Sequence, residues 1–188
     1  MKVSLPDLIK GGAVGVFATD TIYGIHCMAL RKNVVHRIYE IRERNPKKPF
    51  IILISSLKDL DLFKIKLKGK TIEFLEKNWP NKVSVILPCP QKKFFYLHRG
   101  TDTLAFRLPK KDNLIKLLRE TGPLISTSVN PEGLEPAYTI SKAKKYFGKK
   151  LDFYIDEGKI RSEPSTLVKI DKNGNVETLR QGEIEIDP

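Results

Sequence analysis

Histidine and cysteine are scarce in this chain, and long apolar runs are missing. The three histidines, His26, His36 and His98, stand apart, and the two cysteines, Cys27 and Cys89, form no CxxC pair. These spacings exclude a disulfide framework and argue against a structural zinc site. No nucleophile or histidine base stands out for covalent chemistry. The longest aliphatic run, residues 51–54 behind Phe50, is far too short to span a bilayer. Pro6 and Asp7 interrupt the N-terminal stretch before a signal-peptide core forms, so the expected setting is cytoplasmic, with no membrane partner. A Walker GxxxxGK[ST] loop is also missing. Phosphates can be held in other ways, so ATP use stays open.

What is present is positive charge and enough apolar content for a core. Lysine and arginine number 34 against 22 aspartates and glutamates, a net charge of +12. That balance favours anionic partners such as nucleotides or RNA. Lys64, Lys66, Lys68 and Lys70, like Lys142, Lys144 and Lys145, read as solvation of loops and helix faces. With 188 residues, 40% of them hydrophobic, and no repeat or linker, the chain predicts a single domain over residues 1–188.

Residues 13–24 organise the rest. A short β-branched apolar run suits a buried strand, and it turns abruptly to Thr19, Asp20 and Thr21 before Tyr23 and Gly24. Such a cluster is either a helix cap or a ligand loop at a strand end. Residues 5–10 predict helical turns stopped by Gly11 and Gly12. Asn33 is placed to cap a helix carrying Val34, Ile38 and Ile41, which Pro46 and Pro49 end. That helix delivers Arg42, Arg44, Lys47 and Lys48 to one place. One cation there complements the helix dipole, whereas four in seven residues suit an anion site. A strand over 50–55 follows, then helical segments begun by Ser56 and Asp59 and by Thr71, and a strand over 83–87.

Residues 103–108 alternate with period two, which sets Thr103, Ala105 and Arg107 on one face. They form either the floor of a polar pocket or a solvated edge. Asp112 is placed to cap a helix ended by Gly122 and Pro123. Residues 124–130 start apolar and end in hydroxyls and Asn130, a ligand-facing strand end or an ordinary turn. A helix over 139–147 closes at Gly148. Residues 165–170 and 176–180 form a hairpin through Asn173 and Gly174. With Ile170 opposite Val176, counting puts Thr166 opposite Arg180, and Ser165 beside Arg180.

The order of these polar segments resembles the YrdC-like family of threonylcarbamoyl-adenylate synthases. That family's P-T-D-T-x-Y-G segment corresponds to residues 18–24, with Ala18 in place of proline. Its K-x-R pair corresponds to Arg42 and Arg44, followed by Lys48 and Pro49; Arg42 keeps the charge without the compact ammonium geometry. Thr103 to Pro109 resembles its T-x-A-x-R-x-P strand, and Ser128 to Asn130 its S-x-N element. Ser165 and Thr166, then Leu179 to Gly182, resemble its closing S-T and L-R-x-G elements. The likeness runs from about Gly12 to Gly182.

The resemblance implies an α/β fold, one domain with a twisted mixed sheet flanked by helices, and a concave basic cleft at strand ends. It implies a nucleotidyltransferase that makes L-threonylcarbamoyl-AMP from L-threonine, bicarbonate or carbon dioxide, and ATP, for threonylcarbamoyladenosine in tRNA. Thr21, Arg107, Ser128 and Ser165 would hold threonine. Arg44, Lys48, Thr103, Asn130, Tyr138 and Arg180 would hold ATP, with Arg42, Arg44, Lys48 and Arg180 stabilising charge. Mg²⁺ would come with ATP and take no ligand from the protein. Downstream tRNA-modifying proteins would receive the product, and contact with tRNA or double-stranded RNA is compatible with the charge. The second domain of longer members is expected to be absent, since the chain ends six residues after Gly182. Two rivals remain at this stage: a non-catalytic RNA-binding module using the same cleft, and the carbamoyl-transferring maturation domain that shares the fold.

Overall fold

The computed structural model describes residues 3–186; the single-domain expectation over 1–188 includes residues 1, 2, 187 and 188, which lie outside them. Nine strands form one mixed sheet: β1 (Gly15–Ala18), β2 (Tyr23–Met28), β3 (Ile51–Leu53), β4 (Val83–Pro88), β5 (Thr103–Arg107), β6 (Leu124–Ser128), β7 (Phe153–Tyr154), β8 (Thr166–Ile170) and β9 (Val176–Arg180). Their order across the sheet is β7-β1-β2-β6-β3-β5-β4-β8-β9. Six helices accompany them: α1 (Leu5–Gly11), α2 (Lys32–Arg42), α3 (Lys70–Asn78), α4 (Phe95–His98), α5 (Asp112–Thr121) and α6 (Ile140–Phe147). Among the described residues no helix is long and apolar enough to cross a membrane.

Strand alternation decides what each face of the sheet does. Val16, Ile25, Ile52, Val85, Phe106, Ile125 and Val168 point to one face and form the main core with α2, α3, α4 and α6. The intervening residues point to the other face. There Phe17, Leu53 and Leu124 meet Ile9 of α1 with Leu114 and Leu118 of α5 in a smaller core. Those two helices cover only part of that face. The rest of it, around Ile51, Ile86, Ala105 and Ser126, floors a cavity. The expected cleft at strand ends is therefore corrected: the floor is a sheet face, and loops supply the walls.

Local signals explain most boundaries. Ser4 caps α1 by accepting from the Asp7 amide, and Gly12 ends it at φ 101°. Thr139 caps α6 through the Lys142 amide, worth about 1 kcal/mol. Asn33 and Asp112 do not cap: Arg31 and Lys111 take the extended cap positions, which places both expected caps inside the helices. The Asn-Gly hairpin forms with Ile170 opposite Val176, but Val168 faces Thr178 and Leu167 faces Arg180. A bulge at Leu179 thus shifts the expected pairing of Thr166 with Arg180 by one residue. Strands β2 and β7 carried no expectation from sequence.

Segment 155–165 leaves the sheet at edge strand β7 and re-enters at β8, next to the far edge. Crossing seven strand positions at about 4.8 Å each is roughly 34 Å along the sheet. Eleven residues reach only about 36–40 Å fully extended. The segment is consequently a strap with no room for a helix, and it carries Ser162, Pro164 and Ser165 to the cavity wall.

Candidate active site

The β1–β2 loop folds back over the open face. Thr19 Oγ1 lies 2.9 Å from Thr21 Oγ1 and donates to the Ile22 carbonyl, which keeps the turn tight. Asp20 is driven inward: its Oδ1 lies 3.1 Å from Arg107 Nη1, and both side chains are about 95% buried. Arg107 Nη1 also donates to Thr21 Oγ1 at 3.1 Å. Asp20 Oδ2 accepts from the Lys110 amide at 3.0 Å. Burial pulls the Arg107 pKa down, Asp20 opposes that, and the nearby Arg180 adds to it. Arg107 Nε is buried and has no hydrogen-bond partner.

Opposite this loop, residues 44–50 carry the second set of cations. Arg44 donates through Nε to the Lys48 carbonyl and through Nη2 to the Pro49 carbonyl, and it lies over the Phe50 ring. Lys48 is exposed and paired with Glu132, Nζ to Oε1 at 2.6 Å. Sequence reading did not find Glu132, which lies 84 positions away. At the far wall Arg180 grips the Ser165 carbonyl with Nε at 3.2 Å and Nη2 at 2.8 Å. Ser165 Oγ lies 2.8 Å from Ser84 Oγ. The hairpin and the strap thus meet where counting placed Ser165 and Arg180, despite the bulge.

These elements enclose a cavity of about 560 Å³, within the range of small-molecule sites. Thr21, Arg44, Lys48, Thr103, Arg107, Ser128, Tyr138, Ser165 and Arg180 all line it. Five basic side chains stand on its wall, Lys47 being the fifth, and among the described residues no carboxylate does. The wall also holds Thr19, Ser126 and Thr127, which sequence reading placed in the polar strand ends without assigning them a ligand. Their signal was present, in the hydroxyl-rich ends of β1 and β6.

Two expected residues are not on this wall. Arg42 is 2% exposed and donates to the Asn130 carbonyl at 2.8 Å, to Asn130 Oδ1 at 3.2 Å, and to Thr127 Oγ1. Asn130 in turn donates to the Pro131 and Leu134 carbonyls. The expected placement of Arg42 and Asn130 among the ligand groups is corrected on this geometry. Their polar atoms are engaged with each other and with β6, so they position Thr127 and Ser128 from behind. Burial pulls the Arg42 pKa down to about 10, which leaves it protonated at neutral pH.

Gly24 has a steric reason. An added Cβ there would lie 2.5 Å from Nε2 of His26, which is fully buried and stacked on Phe17 at 3.8 Å. His26 is wedged between the Phe17 and Ile125 carbonyls, each 3.2 Å away, and cannot retreat. Burial lowers its pKa to about 3, so the ring is neutral and takes no part in proton transfer at working pH. Gly24→Ala is expected to cost about 1–3 kcal/mol by overpacking, read as a lower denaturation midpoint. An unchanged midpoint would mean that the ring is free to move.

A nine-stranded mixed sheet bearing a hydroxyl-lined, five-cation cavity defines an anion-binding α/β domain of the kind that handles nucleotides. The Sua5/YciO/YrdC family model, described as telomere recombination, matches residues 7–182, and the chain belongs to that family. A threonylcarbamoyl-AMP synthase of Nitrosococcus oceani is 32% identical over 149 residues, covering 79% of this chain and 80% of the relative. The structure of P. abyssi Sua5 complexed with L-threonine superposes with a TM-score of 0.85 at 27% identity. It covers 94% of this chain, which spans only about half (52%) of that protein. E. coli YciO shares the fold, with a TM-score of 0.82 at 24% identity over 96% of this chain and 88% of that one.

Proposed function

We propose that this chain joins L-threonine, bicarbonate or carbon dioxide, and ATP into L-threonylcarbamoyl-AMP and pyrophosphate, a nucleotidyl transfer serving threonylcarbamoyladenosine in tRNA. The observation that carries this reading is one cavity with five basic side chains and no carboxylate on its wall among the described residues. Relatives named threonylcarbamoyl-AMP synthase, matching most of the chain, support it. The setting is the cytoplasm, and tRNA-modifying proteins take up the product. An RNA-binding module would need an open surface; a recessed cavity of this volume suits small ligands.

The chemistry asks for little covalent help. The threonine amine adds to carbon dioxide and loses a proton to give a carbamate. A carbamate oxygen attacks the α-phosphorus, and the bond to the bridging oxygen breaks with its electron pair leaving on pyrophosphate. Positioning and charge stabilisation dominate such a step. Arg107, held by Asp20, takes the amino-acid carboxylate, while Thr21, Ser128 and Ser165 supply hydroxyls around it. Arg44, Lys48 and Arg180 face the phosphates, with Thr103 and Tyr138 along the nucleotide. Among the described residues no group of three acidic, histidine or cysteine side chains could hold a metal. An ion arriving with ATP would be carried by phosphate oxygens and water.

Incubation with ATP, threonine and bicarbonate should release pyrophosphate and the adenylate together, and omission of threonine should stop both. Pyrophosphate release that ignores threonine would sink the reading. Arg180→Lys keeps the charge but loses the fork that binds Ser165 and can reach a phosphate together. Turnover should fall more than ATP affinity does. Unchanged turnover would make Arg180 a rim charge only.

A further inference from the structure

Pro46 and Pro49 follow α2 and keep the connection to β3 irregular, yet its backbone is closely held. The Lys48 amide donates to the Asn45 carbonyl at 3.1 Å, and the Lys47 amide donates to Asn45 Oδ1 at 2.9 Å. The Lys48 carbonyl accepts from the Tyr39 hydroxyl at 3.1 Å, and Arg99 Nε donates to the Pro46 carbonyl at 2.7 Å. The main chain at Lys48 is therefore fixed, and its flexible stem alone is free to turn. Its side chain is 58% exposed. The arginines of the wall are tied more firmly. Arg44 and Arg180 bond backbone carbonyls, and Arg107 is buried against Asp20 and Thr21.

Glu132 stands behind Lys48, on the turn after β6 and off the cavity wall. Both of its carboxylate oxygens have partners in the 45–48 turn. Oε1 accepts from Lys48 Nζ at 2.6 Å, and Oε2 accepts from the Asn45 amide. The Glu132 amide donates to the Arg42 carbonyl at 3.2 Å, which fixes its own backbone to the end of α2. Lys48 and the Asn45 amide hold the Glu132 carboxyl below the usual carboxylate range, so it is ionised at neutral pH. Lys82, Lys111 and Lys142 also pair with glutamates, but none of those three lysines lines the cavity. At Lys48 an incoming polyphosphate meets a wall cation that is already engaged. A pair this exposed favours the engaged position by about fivefold at most, so a phosphate oxygen can draw Lys48 away. Once it has done so, an unpaired carboxylate remains beside the bound anion and favours the return of Lys48.

We propose that Glu132 is a positioning residue for product release: it competes with phosphate oxygens for Lys48 and so loosens the hold of the cavity on pyrophosphate, an assignment that rests on reading the cavity as the adenylate-forming site. Pyrophosphate carries no nucleoside to anchor it and depends on the wall cations, so a competitor for one of them acts on it directly. Calorimetric titration of the full chain with inorganic pyrophosphate reads this without turnover. E132Q removes the charge and keeps an acceptor for the Asn45 amide. It should bind pyrophosphate about three to five times tighter than the parent. In turnover its KM for ATP should fall while kcat does not rise. K48Q should bind pyrophosphate more weakly, and E132Q added to K48Q should recover much less than it gains in the parent, because the effect runs through Lys48. The stoichiometry of each titration counts folded sites, so a lowered denaturation midpoint does not blur the affinity. Unchanged or weaker pyrophosphate binding by E132Q would make Glu132 only a clamp on the 45–48 turn. An equal gain with and without Lys48 would make it a general repulsive charge. Either result overturns the proposal. A parent protein that releases no pyrophosphate in response to threonine defeats the reaction reading instead, whereas threonine-dependent release with an unmoved E132Q affinity defeats the role of Glu132 alone.

Discussion

Replacing Arg107 with alanine should weaken threonine binding by about 2–5 kcal/mol, the range for truncating one member of a buried, hydrogen-bonded charge pair. ATP affinity should change much less. The guanidinium is 4% exposed, ion-paired with Asp20 and bonded to Thr21, and its Nε still lacks a partner. Removing it takes away the proposed carboxylate partner and strands the buried Asp20 carboxylate. These losses are separable. Arg107→Ala with Asp20→Ala removes the stranded charge and should regain stability over Arg107→Ala alone, whereas threonine affinity should not return. Calorimetric titration with threonine and with ATP, beside a denaturation midpoint, reads both. Equal loss of the two ligands would sink the division of roles, and recovery of threonine binding in the double variant would make Arg107 a structural partner of Asp20.

The polar ends of the strands were legible because strand chemistry is local. Alternation alone put Thr103, Ala105 and Arg107 on one face, and that face floors the cavity. The Asn-Gly turn fixed the hairpin tip. Local pattern stops where one residue has two possible partners. Arg42 and Arg44 look alike in sequence, yet Arg42 faces the Asn130 carbonyl behind β6 and Arg44 faces the cavity. Nothing near Lys48 announces Glu132. The hairpin register slipped because a single bulged residue, Leu179, leaves no sequence mark. The strap over 155–165 was illegible for another reason: it has no period, and Gly158 and Pro164 mark a loop without showing where it runs. Tertiary anchors hold it, including the Tyr23 hydroxyl, which donates to the Gly158 carbonyl and accepts from the Glu157 amide, each at 2.8 Å.

One methyl group at Gly182 is expected to disable the far wall of the cavity. An added Cβ would lie 2.4 Å from the Pro164 carbonyl oxygen, 2.7 Å from the Thr166 nitrogen and 2.9 Å from the Ser165 carbonyl carbon. All three are backbone atoms, so no flexible side chain can yield. The same backbone is fixed from other sides. The Gly182 amide donates to Thr166 Oγ1 at 3.0 Å, and the Thr166 amide donates to the Lys82 carbonyl at 3.0 Å. Relief must come from moving residues 164–166, which carry the Ser165 carbonyl that holds Arg180. Gly182→Ala should therefore cost about 1–3 kcal/mol of stability, and it should lower turnover by more than that loss explains, through displacement of Ser165 and Arg180 together. Gly174→Ala is the comparison. Its φ of 86° makes alanine strained by about 1 kcal/mol or more, but its tip lies at the other end of the hairpin. It should destabilise the protein and leave turnover of the folded fraction at the parent level. Denaturation midpoints and pyrophosphate release for the two variants decide the matter. Parent-level turnover in folded Gly182→Ala would mean that the junction of strap and hairpin supports the sheet without shaping the site.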